Sequence, residues 1–449
     1  MRGRAFPWAV LLLATALVFI WPIPHTISLR QLLILLFAIL LAYGIAKGRI
    51  GVKFPRDLRV PVYLLVALTL WMIVVAVFLS GETAWSLSEL RGQWDMSVVT
   101  LTLGAVVGTW AREDRSWQVR LCAAIFVALL VHVLYLDVNA FREYVHTGYL
   151  PRRIGGLANS LDRASLGVWV AGAFVMAEII TRLATRQQRF LPIHGIVLTG
   201  LLIAIFFASY VTESRNGMIV LSLLMILSAT AYVMAVYSFS TKRLVIVGAG
   251  TAVLVPLLIL AVVRADDRWG TFLETIPIAL DTTNNRNWLE LDKPLPSLSD
   301  GRPVNDSNYK RIAWIKEGLI LVMERPWGRG FGRQIFGHAL MEKYGVKKTQ
   351  THPHSSLLSL AIGAGIPGLL LWVAFCFFLI RFGYRSFTQT KSYASLVLFF
   401  LTTGFLLAMT LDSMMQDHML QEIMFLIGLF AVLSVSEDGE SRDTRMARR

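Results

Sequence analysis

Residues 351–380 read THPHSSLLSLAIGAGIPGLLLWVAFCFFLI. A polar, proline-containing opening gives way at Leu357 to an apolar run reaching Ile380, long enough to cross a bilayer as a helix. His354 therefore sits where a membrane helix begins. Gly365 follows eleven residues later, about 16 Å along a helix. Glycines at 363, 365 and 368 allow another helix to approach closely, and Pro367 removes a backbone donor, so a kink is expected. A helix N-terminus favours a neutral imidazole, and a neutral imidazole can accept a proton. The stretch points to base-catalysed chemistry at a membrane face.

The rest of the chain agrees with a membrane setting. Of its 449 residues 55% are hydrophobic and only 16% charged, with a mean hydropathy of +0.60. That balance excludes a string of soluble domains, and the ten-residue alternation of a closed barrel is absent. The expected fold is all-α and polytopic, a single integral membrane domain over 1–449. Spans are expected near 7–23, 29–46, 60–80, 95–111, 119–136, 165–181, 191–211, 217–238, 244–262, 355–380, 393–411 and 419–434. About twelve spans put both termini on one side. The first run follows Arg2 and Arg4 and resembles a signal peptide in outline, but with so many later spans it reads as an uncleaved helix. Cys122 and Cys376 fall inside spans and read as buried packing residues, with no disulfide framework or metal spacing.

Orientation follows from Lys and Arg in the short loops. One side receives Arg2, Arg4, Lys47, Arg49, Lys53, Arg56 and Arg59, then Arg112, Arg115 and Arg120. Arg182, Arg186, Arg189, Lys242, Arg243, Arg381, Arg385, Lys391 and the tail arginines follow, whereas the opposite loops hold Arg30, Arg91 and Arg215. The first side is cytoplasmic, so His354 faces outward. This bias accounts for about half of the cations behind the +14 net charge and makes nucleic acid an unneeded partner; the bilayer is the partner it implies.

Two outward loops are long. In 137–164, Arg152 and Arg153 make a basic turn suited to phosphate or lipid head groups, or simply to solvent. The second, 263–353, is the one large soluble segment, between the ninth and tenth spans. It is irregular over Asp281–Asp306, then helical from Ser307 to Glu324 with Ile312, Ile315, Leu319, Val322 and Met323 along one face. A short helix is expected over Gln334–Lys343. The tail from Ser436 is polar and reads as disordered. Asp412, Asp417 and His418, between the last two spans, could orient His354 but read better as a solvated turn. His338 and His352 read as ordinary polar residues.

The spacing His354-Ser355, nine residues, Gly365, two residues, Gly368 resembles the signature of the O-antigen ligase superfamily, whose members attach lipid-linked glycans on the outer side of the bacterial inner membrane. Two arginine motifs are similar to that family's. Arg215 lies in a tight Ser-Arg-Asn-Gly turn before a span, where position alone also allows a snorkelling side chain. Arg311 precedes Trp314 on the loop helix, followed by Pro326-Trp327-Gly328-Arg329-Gly330. Lys310, Arg329, Trp314, Arg152 and Arg153 are weaker candidates for substrate binding, and Ser355, Gly365 and Gly368 belong to the structural motif.

The resemblance implies a GT-C-like, inverting glycosyltransferase without metal or other cofactor. The donor it implies is a glycan on undecaprenyl diphosphate, and the acceptor a sugar hydroxyl of lipid A–core. His354 is then the general base, while Arg215 and Arg311 stabilise the departing diphosphate. A guanidinium suits that task because it binds phosphate oxygens bidentately and keeps its charge in a partly desolvated site. No convincing outward Asp-x-Asp motif offers a metal in its place. The signature is shared with O-antigen polymerases and protein O-oligosaccharyltransferases, which remain alternatives. A transporter fits less well, because Glu178 is the only acidic residue read well inside a span, near its cytoplasmic end.

Overall fold

The computed structural model describes residues 5–51, 55–185, 189–236, 270–290, 292–347, 349–415 and 417–435. The span expected at 244–262, the start of the large loop and the tail from Ser436 lie outside the described residues. Among the described residues the chain is helical and forms no strand, with one isolated bridge between Ser297 and Pro303.

The membrane-embedded part begins with α1 (Ala5–Ile20), α2 (Ile27–Ala46) and α3 (Arg59–Val74), the last prolonged by a π-helical turn, Val75–Leu79. A short α4 (Thr83–Glu89) runs through a second π turn into α5 (Met96–Arg112). Then come α6 (Arg115–Thr147), α7 (Leu161–Ala184), α8 (Gly195–Thr212) and α9 (Arg215–Val236). After the outward segment the chain re-enters as α13 (Ser356–Thr390), α14 (Tyr393–Leu411) and α15 (Asp417–Leu433). Eight of the described helices are long and apolar enough to cross a membrane, while α1 and the last helix are apolar but shorter. This is a multi-pass membrane protein. Exposed Leu32, Leu35 and Ile39 on α2 and Tyr63, Val66 and Leu70 on α3 would be costly in water and are natural in hydrocarbon.

Helix α7 lies at the centre and is almost wholly buried. Helix α15 packs so tightly along α5 that a Cβ on Gly104 would meet the Phe425 carbonyl oxygen, and one on Gly428 that of Leu101. Small residues let these backbones touch. Both cysteines are free and buried.

Three expectations need correction. Helix α6 does not end near residue 136 but continues to Thr147. Residues 137–147 contain no Gly or Pro to stop it, and termination waits for Gly148, left-handed at φ 74°, whose N–H bonds to the Tyr144 carbonyl. Similarly, α13 runs past Ile380 to Thr390, where Lys391 caps it at φ 54°. Thirdly, Glu178 is not alone inside the bundle, because Glu422 on α15 is equally buried. Glu178 itself is fully committed, pairing with Arg182 at 2.7 Å and accepting the Phe190 and Leu191 amides.

The outward segment contains α10 (Phe272–Leu280), α11 (Asp306–Glu324) and α12 (Ile335–Tyr344). They enclose a second core of Trp288, Tyr309, Ala313, Trp314, Leu321 and Phe336, closed from below by Leu358, Ala361 and Ile362 of α13. The packed face of α11 keeps only part of the aliphatic stripe expected: Ile312 and Val322 pack on this core. Ile315, Leu319 and Met323 are exposed, and the inward face carries instead the large aromatics Tyr309 and Trp314, which bury more area per residue.

Candidate active site

Ser355 caps α13, its hydroxyl accepting the Leu358 amide at 3.3 Å, as N-cap hydroxyls do. His354 precedes it in the left-handed region, at φ 52°, a strained conformation for a residue with a Cβ. The next residue ties this turn to the α14–α15 connection. Ser356 donates its N–H and its hydroxyl to the Asp412 carbonyl at 2.9 and 3.0 Å, and its hydroxyl accepts the Met415 amide at 3.0 Å.

That weld carries the Asp412 side chain to the imidazole, with Oδ1 3.5 Å from His354 Nδ1. The expectation of a solvated turn is therefore wrong for Asp412, which is 1% exposed. Burial alone would raise its pKa. Hydrogen bonding to His354, to the Asn216 amide and to the Ser413 N–H outweighs that and holds it well below the usual carboxylate range. His418 is also buried, on the first turn of α15; the Asp417 side chain is outside the described set.

The second oxygen of Asp412 accepts Asn216 Nδ2 at 2.9 Å, and Asn216 Oδ1 accepts Arg311 Nη1 at 3.4 Å. One asparagine thus bridges the carboxylate beside His354 to the α11 guanidinium. Next to it on α9, Arg215 donates Nη1 to Asn308 Oδ1 at 2.9 Å, and Asn308 lies one turn before Arg311. Asp162, opening α7, faces both Asp412 and Arg311. Trp314 stacks on the His354 ring at 5.6 Å and 21°, while its indole N–H donates to the Trp288 carbonyl. His352 meets His354 edge-on at 4.5 Å. Burial, then the neighbouring His354, pushes the His352 imidazole down to about 4.

Below this cluster the glycine spacing has a backbone explanation. Gly365 adopts φ 72° and ψ −178° within α13, a region open essentially to glycine, and the helix kinks there. A Cβ on it would lie 2.4 Å from the Trp327 carbonyl carbon. Pro367 cannot donate to Gly363, so that carbonyl accepts the Arg329 and Gly330 amides at 3.0 and 3.1 Å instead. Ile366 donates in turn to the Pro326 carbonyl at 2.8 Å, and Trp71 Nε1 caps the Ala364 carbonyl at 2.6 Å. Gly368 has room only for hydrogen, since a Cβ would meet that of Ala364. The loop 326–330 and the kink therefore hydrogen-bond each other.

The structure thus gathers His354, Arg215, Arg311 and Trp314 and leaves other candidates elsewhere. Arg329 is buried between Glu324 and Glu342, at 3.0 Å from each. Lys310 pairs with Asp306 at 2.7 Å. Arg152 donates to the Tyr210 hydroxyl at 3.0 Å, and Arg153 is exposed. His338 stacks on Trp85 with ring centroids 4.1 Å apart. Sequence reasoning missed Asn216, Asn308 and Asp162 altogether. Asn216 had one available signal, its place beside Arg215 in the same tight turn.

Chemically, a carboxylate facing Nδ1 fixes the imidazole and leaves Nε2 as the nitrogen able to take up a proton. Two guanidiniums nearby suit a phosphorylated leaving group. Among the described residues no group of three His, Cys, Asp or Glu side chains could hold a metal ion. Residues 198–373 match the family model described as O-antigen ligase. No curated protein matches the chain.

Proposed function

We propose that this chain, whose residues 198–373 match the O-antigen ligase family model, is an inverting, metal-independent glycosyltransferase that completes lipopolysaccharide. It transfers O-antigen polysaccharide from undecaprenyl diphosphate to a sugar hydroxyl of lipid A–core. In this reading the chain crosses the bacterial inner membrane about twelve times in a GT-C-like arrangement, with both termini and the tail 436–449 in the cytoplasm. The site and the 263–353 loop face the periplasm.

The observation that carries the reading is the linked set His354, Asp412, Asn216 and Arg311, with Arg215 alongside. His354, oriented by Asp412, takes the proton from the acceptor hydroxyl. That oxygen attacks the anomeric carbon from the face opposite the diphosphate, and the bond to the diphosphate breaks with inversion. Arg215 and Arg311 bind the diphosphate as it leaves with the electron pair. A positioned base contributes about 10²–10⁴-fold, so His354→Ala should nearly abolish transfer.

The test is purified enzyme in lipid with an undecaprenyl-diphosphate-linked glycan. Lipid A–core, a second donor molecule and a pilin-like protein are offered separately, with and without chelator. Transfer to lipid A–core by wild type, lost in His354→Ala and indifferent to chelation, is the expected result. Preference for the second donor would make the protein a polymerase, and preference for protein an oligosaccharyltransferase. Normal transfer by His354→Ala removes the imidazole from the chemistry.

A further inference from the structure

Asp162 touches both halves of the site, and the transfer scheme gives it no task. As the second residue of α7 it places its carboxyl within hydrogen-bonding reach of Asp412 and facing Arg311. The charged groups around it come from several elements. Asp412 lies on the α14–α15 connection, Arg311 on α11 and Arg163 beside it on α7. His354 borders Asp412, His352 faces both Asp412 and Arg311, and His418 of α15 faces Arg163. From α9 comes the neutral Asn216, between Asp412 and Arg311.

Two carboxyl groups that hydrogen-bond each other need a proton between them, because two carboxylates have only acceptors to offer and repel. The partners of Asp412 decide where that proton sits. Its Oδ2 accepts the Asn216 amide at 2.9 Å, its Oδ1 accepts the Ser413 N–H at 2.8 Å, and the same oxygen faces His354 Nδ1 at 3.5 Å. Three donors converging on one carboxyl favour its ionised form. The proton therefore falls to Asp162. Opposite influences act on it there: the α7 N-terminus and the two guanidiniums favour its loss, while the charge on Asp412 resists it. A proton under such balanced forces is exchangeable.

The charge on Arg311 depends on that exchange. With the proton in place the acid pair carries a single negative charge, held on the His354 side, and the guanidinium keeps its attraction for an anion. Once the proton is lost, a second carboxylate faces Arg311, and its charge is met as that of Arg329 is by Glu324 and Glu342.

We infer that Asp162 is a positioning residue: it shares one proton with Asp412, holds it while the donor binds, and so keeps Arg311 available to the diphosphate. The inference rests on the glycosyl-transfer reading and gives its cationic side a pH-dependent control. The shared proton stays within the pair through the reaction. The one taken from the acceptor hydroxyl goes to His354 Nε2 and leaves to water with the product.

The test compares Asp162→Asn, whose amide still donates to Asp412 but cannot ionise, with Asp162→Ala, which removes the bond. In infrared spectra of the full chain in lipid, wild type minus Asp162→Asn should show the carbonyl stretch of a protonated carboxyl at neutral pH, fading as pH rises. Absence of that band overturns the shared proton, whatever reaction the protein catalyses. Donor kcat/KM is followed from about pH 5.5 to 9 with whichever acceptor the wild type uses. Wild type should decline about tenfold on the alkaline side, mainly through donor KM, and Asp162→Asn should lose that decline. Asp162→Ala should run about tenfold slower than Asp162→Asn at every pH, since the amide restores the bond. An alkaline decline of equal size in Asp162→Asn overturns the role given to the proton. A band without transfer to any acceptor would sink the glycosyl-transfer reading and leave the shared proton standing. Because the band and the wild-type donor KM must change over the same pH range, the comparison stays decisive if Asp162→Ala misfolds.

Discussion

Arg311 and Arg329 lie eighteen residues apart on either side of the α11 C-terminus, and they are held in opposite ways. Arg329 sits between Glu324 and Glu342, its charge met by two carboxylates and its backbone tied to α13. Arg311 instead reaches the amide oxygen of Asn216 at 3.4 Å, with the Asp162 carboxyl facing it and no carboxylate clamp of the kind that holds Arg329. A guanidinium saturated by carboxylates is a brace. One positioned by a neutral amide keeps its electrostatic attraction for an anion that arrives later. The same motif region thus contains a braced arginine and one that, on the proposed function, meets the diphosphate, and only the partners distinguish them.

The sharpest way to break this contrast is to exchange both arginines for lysine. Arg311→Lys keeps the charge but loses the planar fork; kcat/KM for glycan transfer should fall about 10²-fold with the melting temperature close to wild type. Arg329→Lys should do the reverse, lowering the melting temperature by several degrees and leaving transfer within a fewfold. Equal kinetic losses in the two variants would erase the distinction.

A smaller effect is expected one link along the chain of contacts. Asp412→Asn leaves the size of the side chain unchanged but removes the carboxylate facing Nδ1. The rate should fall about 10–10²-fold, and the pH profile of kcat should change shape, because the imidazole loses its orienting acceptor. A reduced rate with an unaltered pH profile would make Asp412 a packing residue.

The smallest concerns stability. His352 is held down near 4 by burial and its neighbour, against about 6.5 in an unfolded chain. As pH falls from about 6.5 towards 4, the unfolded state takes up a proton that the folded state refuses, so stability drops across that window. Wild type should therefore lose a few degrees more in melting temperature between pH 7 and 4.5 than His352→Gln. Parallel losses would show that His352 is not the group responsible.

What the sequence revealed about this site is what acts through the local backbone. Glycine and proline leave their mark within a few residues, so Gly365, Pro367 and Gly368 declared a kink before any partner was known. The end of α11 was readable for the same reason, from Pro326, and α12 is closed by Gly345 at φ 67°. The contacts across the bundle were not readable. Asp412 lies in a later connection and looks like any acidic turn; its burial depends on Ser356 binding that connection, which no local pattern encodes. The α11 face was legible only in part: Ile312 and Val322 pack as their spacing suggests, while the spacing alone gave no weight to the two aromatics that fill the outward core. Charged loops gave a direction for the chain, while helix ends at Thr147 and Thr390 had to wait for the left-handed residues that stop them.

The knot between residues 326–330 and the bend of α13 has a mechanical consequence. There the membrane helix has lent its amide and carbonyl groups to a loop outside it, and tilting either one alone would tear several of those bonds at once. The His354 imidazole at the head of that helix is thus mounted on a rigid joint. On the proposed function, any movement that admits a lipid-linked donor would have to come from elsewhere in the bundle.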